Sequence, residues 1–185
     1  YFPLLLLFFI PAITMGTWAD ERKLGTDELL FTMPATDLEI LLAKYLSVFA
    51  VYSVALLFSM THIIVLMCLG NPDWGLLFTT YFGYLIAGGA LISAGMLASI
   101  LTSSMTVAFV IGIVICSIPV FLGYVGEFTG YRDFFERLSL REQFRDFGMG
   151  VIPFTGLLYF LSFTTFMLYL NLSLIHISEP TRPNE

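Results

Sequence analysis

Apolar residues run almost unbroken along five stretches of this chain, and the charged residues gather between them. The stretches are Tyr1 to Trp18, Tyr45 to Leu69, Trp74 to about Leu101, Met105 to Tyr124, and Val151 to Leu170. A helix needs about 20 mostly apolar residues to cross hydrocarbon. The pattern therefore predicts an all-α fold, a polytopic transmembrane helical bundle. The first stretch reads as the end of a span whose beginning is missing. The second is long enough to cross, and its helix is expected to start earlier, near Asp37.

The segments between the runs differ in kind. Gly70-Asn71-Pro72-Asp73 is a tight turn. Leu101-Thr102-Ser103-Ser104 is an uncharged turn, compatible with a position close to the interface. Asp20 to Lys44 is the most polar, with six of the 14 acids and three of the eight Lys and Arg. Such a segment cannot lie in hydrocarbon and must face water at a membrane surface. Within it Thr26, followed by Asp27 and Glu28, reads as an N-cap with an acidic first turn. Pro34 interrupts that helix. Thr36 and Glu39 then form a T-x-x-E capping box that starts the next. The choice is between a rigid handle offered to a partner and a solvated connector. The last polar segment, Glu127 to Asp146, interleaves acids with Arg132, Arg137, Arg141 and Arg145. Phe134, Leu138 and Phe144 or Phe147 are expected to share one face there, as an interfacial amphipathic helix or as a lid on the bundle.

Composition sharpens this reading. Hydrophobic residues make up 58% of the chain and charged residues 12%, with mean hydropathy +0.89. A soluble domain averages about 45–50% apolar and about 25% charged. The formal charge of −6 argues against nucleic acid as a partner. Orientation is not settled by the basic residues of the loops: Arg22, Lys23 and Lys44 on one side stand against four arginines on the other. Cys68 and Cys116 lie far apart in apolar runs and are expected to be buried helix residues.

The third and fourth runs carry small residues four apart: Gly89 with Ser93, Ala90 with Ala94, Gly95 with Ser99, and the stripe Ser104, Ala108, Gly112, Cys116. Such faces let helices approach closely, within a bundle or across a dimer seam. His62 sits mid-span with no second histidine or acid nearby in the spans. It is expected to hydrogen-bond a neighbouring helix rather than bind metal. The chain has no G-x-S-x-G, no H-E-x-x-H and no Gly-rich phosphate loop. No cofactor or metal is expected, and any ATP would be bound by another chain. A membrane enzyme using His62 and a structural anchor for a membrane complex stay open as alternatives.

Leu172 to Arg182, LSLIHISEPTR, matches codon for codon the in-frame translation of a transposase-type sequencing adapter. Residues 172–185 are therefore expected to be non-native, leaving 1–171 as the transmembrane domain, and His176 carries no functional weight.

The residues up to Lys44 carry a family resemblance. Pro11, Thr14, Met15, Glu21, Arg22, Gly25, Thr26, Glu28, Leu29, Leu30, Pro34, Glu39 and Lys44 follow the P-x-x-T-M, E-R-x-x-G-T-x-E-x-L-L-x-x-P and Lys-led span pattern of type-2 ABC exporter permeases. The flavour is that of gliding-motility-associated and copper-enzyme-maturation-like permeases, and 144–152 and 158–162 resemble the approach to that family's last span. The resemblance implies six spans, of which the runs here would be the second to the sixth. It implies a non-enzymatic permease subunit in the bacterial inner membrane, working as a homodimer or heterodimer with a separate ABC ATPase. The polar segment before Lys44 would be cytoplasmic and hold the coupling helix, with Glu21, Arg22, Gly25, Thr26, Glu28, Leu29, Leu30 and Pro34 as its contact set. Residues 127–146 would then be extracytoplasmic.

Overall fold

The computed structural model describes residues 2–26 and 35–178. Within them the chain is helical with short connections. The elements are α1 (Phe2–Thr14), α2 (Gly16–Leu24), α3 (Asp37–Ser59), α4 (Thr61–Leu69), α5 (Trp74–Ile100), α6 (Met105–Thr129), α7 (Arg132–Leu138), α8 (Leu140–Arg145), a 3-10 turn (Phe147–Met149) and α9 (Phe154–Ser178). Five segments among the described residues are long and apolar enough to cross a membrane: Leu4–Leu24, Asp37–Leu69, Trp74–Ile100, Met105–Gly126 and Phe154–Ile177. The all-α polytopic bundle is thus the fold observed.

The cap chemistry explains where these helices begin. Thr36 Oγ1 accepts the Glu39 N–H, and a Glu39 carboxylate oxygen accepts the Thr36 N–H at 2.9 Å, a complete capping box. Asp37 and Glu39 also put negative charge in the first turn of α3, where the helix dipole favours it. Asp73 caps α5, its Oδ1 accepting from Gly75 N (2.9 Å) and Leu76 N (3.2 Å).

The helix α5 is the hub, with α1, α3, α6 and α9 packed around it. In its apolar 18-residue window 78% of the residues are buried, against 17% to 39% in the other spans. The outer helices show large apolar side chains outward, among them Phe8, Phe58, Val110 and Phe154. That arrangement suits hydrocarbon surroundings. Small residues bring the hub close to its neighbours. A Cβ on Gly88 would overlap the Tyr52 ring of α3, and one on Gly95 would overlap Thr14 of α1.

Four expectations change. The run Tyr45 to Leu69 is not one helix: it breaks at Met60, where Met60 N–Leu57 O and Ile63 N–Met60 O replace the four-residue spacing by three. Cys68 is exposed; only Cys116 is buried. The segment 127–146 is not a single amphipathic helix. Ser139 adopts an extended backbone (φ −79°, ψ 121°) that separates α7 from α8 and rotates one against the other. Phe147 is consequently buried while Phe134 is 62% exposed, so the two do not share a face. Finally, α9 continues past Asn171 to Ser178, because Leu172 to Ile177 prolongs the apolar run without a helix breaker.

Candidate functional site

The end of the bundle that carries α2 gathers the chain's most elaborate polar contacts. They start from a break. α1 contains Pro11, and its last turn closes with Met15 N–Pro11 O at 2.9 Å and Thr14 Oγ1 bonding back to Ile10 O at 2.9 Å. α2 starts at Gly16 with Met15 at the cap position, and Met15 offers no side-chain acceptor. First-turn N–H groups of a helix have no partner within it. Here Ser99, near the end of α5, supplies one from outside. Its Oγ accepts from Trp18 N and Ala19 N, both at 3.0 Å, and donates to Met15 O at 2.8 Å. One hydroxyl thus caps α2 in trans and ties the α1–α2 break to α5.

Two cations complete the attachment. Arg22 donates through Nη1 to the Ile100 carbonyl at the end of α5, where cations meet the negative end of the helix dipole. Lys44, about two turns into α3, donates to Thr17 O at 2.9 Å and pairs with Glu21 Oε1 at 2.5 Å. Its ammonium also lies 4.7 Å from the centroid of the buried Trp18 ring, a cation–π distance. The Lys44 and Glu21 side chains are only 16% and 29% exposed. The pair is therefore at or above the top of the 0.2–1 kcal/mol range, roughly, of exposed ion pairs. Trp18 Nε1 and Glu21 Oε2 are buried and have no hydrogen-bond partner among the described residues.

Gly25 ends α2 in the left-handed region (φ 67°). Gly25 N bonds Arg22 O and Thr26 N bonds Glu21 O at 3.0 Å, the paired closure of a Schellman motif. Thr26 thus closes the helix before it. Glu28, Leu29, Leu30 and Pro34, together with the helix expected after Thr26, lie outside the described residues. Of the expected contact set, Glu21 and Arg22 point back into the bundle and hold α2 in place, while Gly25 and Thr26 are exposed, as are the neighbouring Lys23 and Leu24. Sequence reasoning missed Ser99 as a cap. It marked the residue only as a small packing side chain, although the Met-Gly step at 15–16 hinted at a helix break needing a foreign acceptor.

The packing residues fall as follows. Gly89 and Ser93 are buried on α5, and Ala108, Gly112 and Cys116 are buried on α6. A Cβ on Gly112 would meet Pro11 Cβ at 3.0 Å, so this face of α6 lies against α1. Ser104, the first member of the stripe, is instead exposed at the N-cap of α6.

A second feature is an open apolar groove of about 460 Å³ between α1, α3 and α5, lined by Leu5, Phe9, Tyr52, Leu56, His62 and Tyr84 among others. His62 is exposed at the start of α4, its Nδ1 2.7 Å from the Ser59 carbonyl oxygen, so its partner is the end of the preceding helix.

A sequence-family profile described as ABC-2 family transporter protein matches residues 1–178, nearly the whole chain. No curated protein and no solved structure matches it significantly.

Proposed function

The chain belongs to the ABC-2 family of transporter proteins, a multi-pass permease of an ABC transporter, and from that premise we propose that it is the membrane subunit of an exporter whose ATP-hydrolysing subunits are separate chains. α2 and the segment that follows it, up to Lys44, serve as the handle on which an ATPase subunit docks. The observation that carries this reading is the anchoring of α2. Ser99, Arg22 and the Lys44–Glu21 pair bind one short helix to the ends of both α3 and α5. A push on α2 must therefore move the hub helix and its neighbour together. Closure of an ATPase pair on ATP would shift the spans between two packings, since packed interfaces switch rather than deform continuously.

In this reading the handle is cytoplasmic, the membrane is the bacterial inner membrane, and two permeases, identical or different, form the pathway. The spans here correspond to the second to sixth of a six-span permease, and residues 172–185 play no part. Glu21 and Arg22 fix the handle, Gly25 and Thr26 shape its turn, and Glu28, Leu29, Leu30 and Pro34 form the surface presented to the ATPase.

The test is reconstitution with the partner ATPase in proteoliposomes, with hydrolysis and transport measured together. Glu28→Ala and Gly25→Val should leave the permease inserted and lower substrate-stimulated hydrolysis and transport. Wild-type coupling in both variants would remove these residues from the handle.

A further inference from the structure

At the end of the bundle opposite α2, the last turns of α6 meet α7 and α8 around a cavity of about 80 Å³. Its wall carries Arg132, Arg141, Arg145, Glu136, Glu142 and Ser139. Two arginines are matched: Arg132 Nε pairs with Glu136 Oε1 at 2.6 Å, and Arg145 Nη1 with Glu142 Oε2 at 2.8 Å. Arg141 has no such match among the described residues. It donates through Nη1 to the Tyr124 hydroxyl and lies 5.0 Å from that ring's centroid. Among the described lining residues, three guanidinium groups stand against two carboxylates, and Arg141 is the one without a carboxylate partner.

Ser139 is an independent pointer to a ligand. It is 1% exposed, and its Oγ has no hydrogen-bond partner among the described residues. A buried hydroxyl without a partner costs about 1–3 kcal/mol. As the N-cap of α8 it bonds no backbone N–H through its side chain, and it opens on the cavity instead. The space exceeds the roughly 10–15 Å³ that one water needs and accommodates a tetrahedral oxyanion. It lies between the last two turns of the span that ends at Gly126 and the segment that leads to the span starting at Phe154, a position at headgroup depth. Guanidinium matches phosphate geometry with two parallel bonds.

We infer that this cavity is a phosphate-binding site in which Arg141 supplies the uncompensated charge and Ser139 a hydroxyl donor. It stands independently of ATPase coupling. The phosphate can belong to a lipid headgroup or be free in solution, and the assay separates the two.

The full-length protein in neutral micelles is titrated with phosphatidylglycerol and, separately, with inorganic phosphate. Bound lipid is read by native mass spectrometry and bound phosphate by ³¹P line broadening. Phosphatidylglycerol binding alone identifies a headgroup site, and inorganic phosphate binding alone a free-oxyanion site. In either arm Arg141→Gln should weaken binding roughly tenfold, as loss of a charge-assisted bond does. Arg141→Lys should retain part of it, and Ser139→Ala should weaken it a few-fold. If Arg141→Gln fails to fold, Ser139→Ala and Arg145→Gln decide. No saturable binding in either arm, or binding that these substitutions leave unchanged, overturns the site.

Discussion

Replacing Ser99 with alanine removes one oxygen and three hydrogen bonds. Trp18 N and Ala19 N lose their acceptor, and Met15 O loses its donor. Trp18 and Ala19 are 2% and 0% exposed, so water cannot readily take the place of the hydroxyl. The cost lies between two limits. A lost helix cap is worth about 1 kcal/mol, and a backbone group left unsatisfied in hydrocarbon costs several. Interhelical hydrogen bonds in membrane proteins average about 0.6 kcal/mol, so three of them give about 2 kcal/mol, or about thirtyfold in the folded-to-unfolded ratio. The assay is equilibrium unfolding in mixed micelles with rising SDS, followed by tryptophan fluorescence, since Trp18 lies at the affected contact. Ser47→Ala is the control, because Ser47 is exposed and bonds only the Lys44 carbonyl of its own helix. A Ser99→Ala cost below about 0.5 kcal/mol, the level of an ordinary surface substitution, would refute the claim that this hydroxyl holds α2 to α5.

Other substitutions probe neighbouring joints. Gly88→Ala drives a methyl group into the Tyr52 ring and should cost about 1–3 kcal/mol in the same unfolding assay; adding Tyr52→Leu should restore part of the loss. Gly25→Ala must place a Cβ at φ 67° and should cost about 1 kcal/mol, while Gly25→Asn, which tolerates that region, should cost less in the same titration. For the Lys44–Glu21 pair, a double-mutant cycle with Lys44→Met and Glu21→Gln should give a coupling of about 0.5–3 kcal/mol; additive losses would mean that the contact is not energetically real. Thr36→Ala removes the capping-box acceptor and should destabilise α3 by about 1 kcal/mol, read by far-UV circular dichroism during thermal unfolding.

How much of this was legible beforehand depended on how local the cause is. The start of α3 at Asp37 could be read from the capping box of Thr36 with Glu39, and that of α5 at Trp74 from the turn Gly70–Asp73 directly before it, because both signals lie within four residues of the helix start. The end of α5 was equally plain, since the apolar run stops there. The break at Met60 has no Gly or Pro to announce it. The split at Ser139 was hidden because its charged and aromatic residues keep helical spacing through the interruption. At the handle, the sequence marked Glu21, Arg22, Gly25 and Lys44 by family resemblance. It did not reveal that Glu21 and Arg22 face inward: their partners Lys44 and Ile100 lie 23 and 78 residues away. Ser99 was seen only as a small residue for the same reason, because the N–H groups it caps are about 80 residues distant.

Proximity crosslinking reports which end of the bundle meets the ATPase. Leu24 is 70% exposed at the end of α2, and Gly70 is exposed in the turn at the opposite end. In a background with Cys68 and Cys116 replaced by serine, Leu24→Cys and Gly70→Cys are each combined with the partner ATPase and a short thiol-to-amine crosslinker. Crosslinking from position 24 that changes with ATP, and none from position 70, is the predicted result. Crosslinking from position 70, or from neither position in a complex that still assembles, would contradict the handle.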